Sequence, residues 1–378
     1  MKQKLLKKYG SEFNREGVEK FLLCNTIAKS LFGDKIKSVI DEAISAYDEK
    51  HRYYHNINHL ISLFNLIHSF QHTKREKEIL ELVALFHDVV YDPIHSLLRT
   101  NEERSADWFV ALSNASSREK RLHISTIKSM VEETQYGKKE GTTRLSKWFN
   151  EADLWTLIYG NVSDLLANEM LILKEYQFNP YLKYREGRIK FLNFIKKHEM
   201  CFKNSPNISE LIRHVENYVP SIGVYAGSFN PFHVGHQNIL EKAGKLFDKV
   251  IVAVGSNPEK GKNFMDIDKT VRDAIPFHEV DQFGGALSEY IESVETYAKV
   301  TLVRGLRNGY DFNYEINQLR FIEDMYGGKI SVVLIPCDRE YDYVSSSAIR
   351  SIEAIRSNDI LPVDKFYRKY LVQDEKQE

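Results

Sequence analysis

The chain has 378 residues, and its 52 Lys+Arg against 53 Asp+Glu leave a formal net charge of −1. A hydrophobic share of 43% beside 28% charged residues excludes a disordered chain. The balanced charge supplies no overall field to gather nucleic acid or an anionic membrane, and the length suits two domains better than one core.

No apolar run approaches the roughly 20 residues of a membrane span. The opening MKQKLLKKYGSEF lacks the apolar core of a secretion signal. Cys24, Cys201 and Cys337 are scattered and form neither a disulfide framework nor a zinc spacing, as expected of a soluble cytoplasmic protein.

Residues 1–215 read as an all-α domain. In INHLISLFNLI, residues Leu60, Leu63, Phe64 and Ile67 recur at three- and four-residue steps, and EILELVALFHDVV repeats the pattern with Ile79, Leu82, Val83 and Phe86. Asn101 is predicted to cap the next helix, with Glu102 and Glu103 in its first turn. Against this background stand HNINH (His55–His59), FHD (Phe86–Asp88) and ADL (Ala152–Leu154). A His-Asp pair buried alone on an apolar helix costs free energy, which a divalent cation offsets. Imidazole and carboxylate ligands suit one Mn, Fe, Zn or Ni ion, and such an ion with an open position activates water. His68 and His72 read as surface residues.

The segments RYYHNINH, FHDVVYDP and NEERSA together resemble a branch of the HD superfamily of metal-dependent phosphohydrolases, over about residues 10–200. The superfamily's His, His-Asp and Asp map onto His59, His87, Asp88 and Asp153. His55 is the alternative to His59, or an outer contact to the metal or to phosphate. The resemblance implies hydrolysis of a phosphorylated metabolite or nucleotide, with Glu102 or Glu103 as acid/base and Arg52 as a phosphate ligand. It implies one metal, since His95 and His123 form no second-metal pattern.

The character changes near Pro220. SIGVYAG, KVIVAVGS, AKVTLVRG and KISVVLIP read as short apolar strands alternating with helical stretches such as NILEKAGKLF. That alternation predicts a parallel α/β sheet covered on both faces, in a domain spanning 221–378. GSFNPFHVGH (Gly227–His236) lies between the first strand and a helix, where open α/β sheets bind ligands and a helix N-terminus meets phosphate. Gly227 and Gly235 admit close approach of backbone to a phosphate. Ser228 offers a hydroxyl. His233 and His236, three apart, are expected to face one point as imidazolium donors to charge on phosphorus. Cys337 reads as a buried small hydrophobe.

The HxGH segment resembles the nucleotidylyltransferase superfamily, which has a Rossmann-like fold, and VSSSAIR (Val344–Arg350) is similar to its second signature. NPEK (Asn257–Lys260) and VRGLRNGYDFNYE (Val303–Glu315) narrow the resemblance to phosphopantetheine adenylyltransferase, over essentially all of 221–378. This resemblance implies in-line attack of the phosphate of 4′-phosphopantetheine on the α-phosphorus of ATP, giving dephospho-CoA and pyrophosphate, with Mg²⁺ assisting. It also implies a homo-oligomer. Ser228 would orient the attacking phosphate, His236 would stabilise the pentavalent α-phosphate, and Lys260 and Arg304 would hold the nucleophile. Gly227, Phe229, His233, Gly305, Arg307, Asp311 and Glu315 fall at substrate and ATP contacts. Ser345, Ser346 and Ser347 would bind the β- and γ-phosphates.

The chain also departs from that pattern. His233 stands where the family usually has threonine, and Ser228-Phe229-Asn230 replace Thr-Phe-Asp. FNPFH leans towards the nicotinate and nicotinamide mononucleotide adenylyltransferases. The alternative reading is therefore such an enzyme, with a regulatory, non-catalytic HD domain.

Overall fold

The computed structural model describes residues 13–94, 98–136, 141–198, 206–255, 264–356 and 370–372. The chain divides into two compact units. One comprises Met1–Glu175 and Gly187–Glu216, the other Tyr176–Glu186 and Asn217–Glu378. No helix among the described residues is long and apolar enough to cross a membrane.

The first unit is helical. Its elements are α1 (Arg15–Cys24), α2 (Thr26–Phe32), α3 (Ile36–Ala46), α4 (Ile57–Ser69), α5 (Lys74–Phe86), α6 (Asn101–Leu112), α7 (Arg118–Glu132), α8 (Arg144–Asp153), α9 (Trp155–Tyr159) and α10 (Val162–Glu175), followed by α11 (Tyr181–His198), which belongs to this unit from Gly187 on, and α12 (Pro206–Asn217). The periodic face of α4 is buried at Leu60, Leu63, Phe64 and Ile67. Helix α5 is buried on every side from Leu80 to Phe86, so it is the central element of the core, packed with Tyr47, Phe109 and Phe149.

Two local expectations are corrected here. Thr100, not Asn101, caps α6: its hydroxyl accepts from Glu103 N–H and Glu103 returns a bond to the Thr100 N–H. Asn101 is the first helical residue, and its side chain bonds Asp92 instead. His68 and His72 are not surface residues. His68 lies 3.0 Å from Glu81 Oε1 on the central helix and packs between Phe13 and Phe21. His72 packs edge-on against Trp148, and burial lowers its pKa.

The second unit is built on five parallel strands, β1 (Ser221–Gly227), β2 (Lys249–Gly255), β3 (Glu279–Phe283), β4 (Lys299–Leu306) and β5 (Val332–Pro336), in the order β3-β2-β1-β4-β5. Helices α13 (Val234–Ala243), α14 (Phe264–Ala274), α15 (Leu287–Glu295) and α16 (Gly309–Tyr326) connect the strands, and α17 (Ser346–Arg356) follows the last. Strand β3 (EVDQF) was not among the four predicted, because it carries no apolar run and is ordered by pairing with β2. The chain runs outward from β1 to β2 and β3, then returns to β4 on the other side of β1. That reversal opens a crevice beyond the carboxyl ends of β1 and β4, where ligands of such sheets bind.

Candidate active sites

At the reversal point lies a cavity of about 550 Å³. The β1–α13 connection contributes Gly227, Ser228, Phe229, His233 and His236. The end of β4 and the start of α16 contribute Arg304, Gly305, Arg307, Asp311 and Glu315. The first turn of α17 and the residue before it contribute Ser345, Ser346 and Ser347. Three segments more than 100 residues apart at their extremes thus face one space. Lys260 lies outside the described residues. Tyr225, Ile239 and Tyr341 also line the cavity, and nothing in their residue type or spacing marks them in the sequence.

The β1–α13 loop is shaped by Phe229, which is buried and has a φ of 40°, in the left-handed region that L-residues rarely adopt. Its ring lies 3.0 Å from where a Cβ on Gly227 would project, so a larger residue there would have to push the ring aside. His233 caps α13: its Nδ1 accepts from Gly235 N–H at 3.2 Å, while its own N–H donates to His236 Nδ1 at 3.3 Å. The two rings stack with centroids 3.7 Å apart. With both Nδ1 atoms accepting, the neutral tautomer of each ring carries its proton on Nε2.

Burial, reinforced by Arg307, lowers the His233 pKa to about 4. The expected His233 imidazolium is therefore replaced by a neutral ring, because the loop that positions it also removes it from water.

The second signature is tied to the first. Ser345 Oγ accepts from Ala348 N–H and caps α17, Ser346 Oγ donates to Pro231 O at 3.0 Å, and Arg350 donates to Asn230 O and to Ser347 Oγ. Helix geometry leaves the first-turn N–H groups of α17 without intrahelical partners, beside the cavity. Arg304 reaches across the β1 end, with Nη1 donating to Ala226 O at 2.6 Å and Nε 3.1 Å from Glu315 Oε2. Burial pushes the Glu315 carboxyl up, against the pull of Arg304. Arg307 makes three bonds to Asp311. Cys337 is only half-buried and lines the cavity, with its Sγ 4.0 Å from Gly235 O, so it is not the buried hydrophobe expected.

The cytidylyltransferase-like family model matches residues 224–352. A phosphopantetheine adenylyltransferase of Caldanaerobacter subterraneus subsp. tengcongensis is 35% identical over 136 residues, which are 35% of this chain and 82% of that protein. The chain belongs to the phosphopantetheine adenylyltransferase family through its C-terminal region. Other relatives of the same name come from Fusobacterium nucleatum (34% identical over 139 residues, 35% of this chain and 82% of that one) and Actinobacillus pleuropneumoniae serotype 5b (37% over 134 residues, 34% and 82%). The stretch that the cytidylyltransferase-like family model matches contains the residues that line the cavity.

The helical unit brings a second group together. His59 sits in the first turn of α4, His87 caps the end of α5, Asp88 follows it, and Asp153 ends α8. His59 Nε2 is 3.3 Å from His87 Nε2 and 2.9 Å from Asp153 Oδ1; His87 Nε2 is 3.0 Å from Asp88 Oδ2 and 3.6 Å from Asp153 Oδ1. His87 Nδ1 lies 2.9 Å from Ala84 O, which commits its proton to that carbonyl and turns Nε2 inward. Burial opposes charge here, yet Asp88 and Asp153 hold the His87 imidazole well above its ordinary range, and His59 and His87 hold Asp153 well below its own.

The other predicted residues are not among these converging atoms, although His55 lies beside His59, with ring centroids 5.9 Å apart. His55 Nδ1 is 2.7 Å from Glu175 Oε2, and its ring stacks on Tyr91. Glu102 is half-buried on α6, and no bond links it to the cluster among the described residues. Arg52 is not poised for phosphate. It is buried, its guanidinium donates to Asp88 O at 2.6 Å and to Val89 O at 3.1 Å, and its Nε pairs with Glu49. It therefore braces the His-Asp turn. Sequence reasoning missed Glu175 and Tyr136, whose hydroxyl bonds Asp153; neither has a motif.

Proposed function

We propose that the C-terminal unit transfers AMP from ATP to 4′-phosphopantetheine, forming dephospho-CoA and releasing pyrophosphate. The observation that carries this reading is the facing of Ser228, His236, Arg304 and the three serines onto one cavity at the sheet's reversal point. Ser228 orients the acceptor phosphate, the His236 Nε2–H meets charge developing on the α-phosphate, and the α17 N-terminus with Ser345–Ser347 receives the β- and γ-phosphates. Lys260 and Arg304 hold the nucleophile, with Arg307, Asp311 and Glu315 on the nucleotide. Mg²⁺ would balance the triphosphate charge. The deciding experiment follows pyrophosphate release from ATP with phosphopantetheine or with nicotinate mononucleotide as acceptor. Turnover confined to the mononucleotide overturns the choice of acceptor, and turnover with neither overturns the transfer itself.

We further propose that the helical unit is an HD-type phosphohydrolase domain holding one Mn, Fe, Zn or Ni ion on His59, His87, Asp88 and Asp153. Two imidazole nitrogens 3.3 Å apart repel unless a proton or a cation lies between them, and the Asp153 carboxylate converges with them, with Asp88 beside His87. This donor set fits a transition metal. A bound ion would polarise phosphoryl oxygen and activate water. His55 stands beside the cluster as a contact for substrate phosphate, and Glu102 is the acid/base candidate. Metal analysis of the full chain, followed by assay on a panel of phosphate monoesters and nucleotides, tests this. Metal without hydrolysis favours a regulatory module, and absence of metal sinks the reading.

A further inference from the structure

Asp153 has two carboxylate oxygens with different partners. Oδ1 faces the imidazoles, 2.9 Å from His59 Nε2 and 3.6 Å from His87 Nε2. Oδ2 accepts the hydroxyl of Tyr136 at 3.0 Å. The same hydroxyl is 3.0 Å from Asn150 O, one turn back on α8. A phenol has one proton, and an ionised carboxylate is a stronger acceptor than an amide carbonyl. The proton is therefore directed at Asp153, with Asn150 O fixing where the phenol oxygen sits. Tyr136 lies outside α8, so the phenol reaches the carboxylate from a different segment of the chain.

A carboxylate bound to a divalent cation takes one oxygen or both, and its hydrogen-bond partners select between the two. We propose that Tyr136 holds Asp153 to one-oxygen coordination and so keeps a coordination position open at the His59, His87, Asp88, Asp153 centre for a phosphate oxygen or water. The inference rests on the metal-site reading of the helical unit and names what sets that site's vacancy. Tyr136 is a positioning residue: it touches a ligand and not the substrate. Without it, Oδ2 is free to swing onto the ion and close the site.

The test uses full-length protein loaded with Co²⁺, whose visible bands weaken as coordination number rises. The wild type should show the stronger bands of a low-coordinate ion, and inorganic phosphate should change them. Tyr136→Phe, which keeps the ring and removes only the hydroxyl, should bind Co²⁺ with bands weaker by about twofold or more and little response to phosphate. A purely structural tyrosine would change the amount of folded protein or the affinity, and leave the spectrum of the bound ion alone. Identical spectra in the two proteins overturn the proposal. If Tyr136→Phe does not fold, the wild type still decides: a Co²⁺ spectrum that phosphate does not move overturns it. A wild type that takes no Co²⁺ at all removes the metal-site reading itself, which is a separate outcome.

Discussion

His233 and His236 lie ring on ring, 3.7 Å between centroids and 23° from parallel, because the backbone N–H of His233 reaches His236 Nδ1 while Gly235 N–H reaches His233 Nδ1. The pair is a helix cap and a donor pair at once. The bonds that start α13 also fix which ring nitrogens of this cavity-lining pair carry the protons.

Removing the donor at His236 should therefore act on the transition state more than on binding. His236→Ala is expected to lower kcat for pyrophosphate release by about 10²–10³-fold, or ~3–4 kcal/mol, with a smaller change in KM for ATP. Steady-state kinetics with phosphopantetheine checks this; equal effects on both constants would point to lost folding of the loop instead.

The neutral state of His233 makes stability depend on pH. Its folded value is about 4, below the value of ~6.5 for an exposed imidazole. Between the two, the unfolded chain binds the extra proton, so stability rises with pH across this window. The contribution is fully present above ~6.5 and is lost as pH falls towards 4, amounting to about 3 kcal/mol. Chemical denaturation at several pH values should show this slope, and His233→Gln should flatten it.

Metal retention should separate His59 from His55. Asp153→Ala removes the oxygen that faces both cluster imidazoles, and the protein is expected to lose stoichiometric Mn²⁺. His55→Ala, which removes the link to Glu175 and the ring's stacking on Tyr91 but none of the converging ligand atoms, should keep it. Loss of metal in the His55 variant would make His55 a ligand.

Packing around β1 predicts a fourth class of effect. A Cβ at Gly223 would lie 2.6 Å from Phe247 Cδ2, in the middle of a strand paired on both sides. Gly223→Ala should cost about 1–3 kcal/mol through overpacking. Gly187, inside α11, has nothing within 4 Å of its Cβ position. Gly187→Ala should stabilise by about 0.5–1 kcal/mol. Thermal denaturation of the two variants should move in opposite directions.

Much of this arrangement is legible along the chain. Four of the five strands announce themselves as apolar runs, the helices by their three- and four-residue steps, and the cavity-lining histidines and serines by their place after a strand end or at a helix start. These signals are local, and local chemistry settles them: periodic burial, glycine where backbone must approach closely, polar residues at helix starts. The His87-Asp88 pair stands out in the sequence because buried ionisable groups on an apolar helix require compensation, whereas His59 and Asp153 are named only through the resemblance to the HD superfamily.

Tertiary structure alone decided the rest. Strand β3 exists because β2 offers it a ladder. The charge of His233 follows from burial by its own loop. Arg52 is occupied by the carbonyls of Asp88 and Val89, and Asp153 is shared between two imidazoles and the phenol of Tyr136. In each case the residue type was visible and its partner was not, since hydrogen-bond partners and burial are set by which segments the packed core brings together, and no spacing along the chain records that.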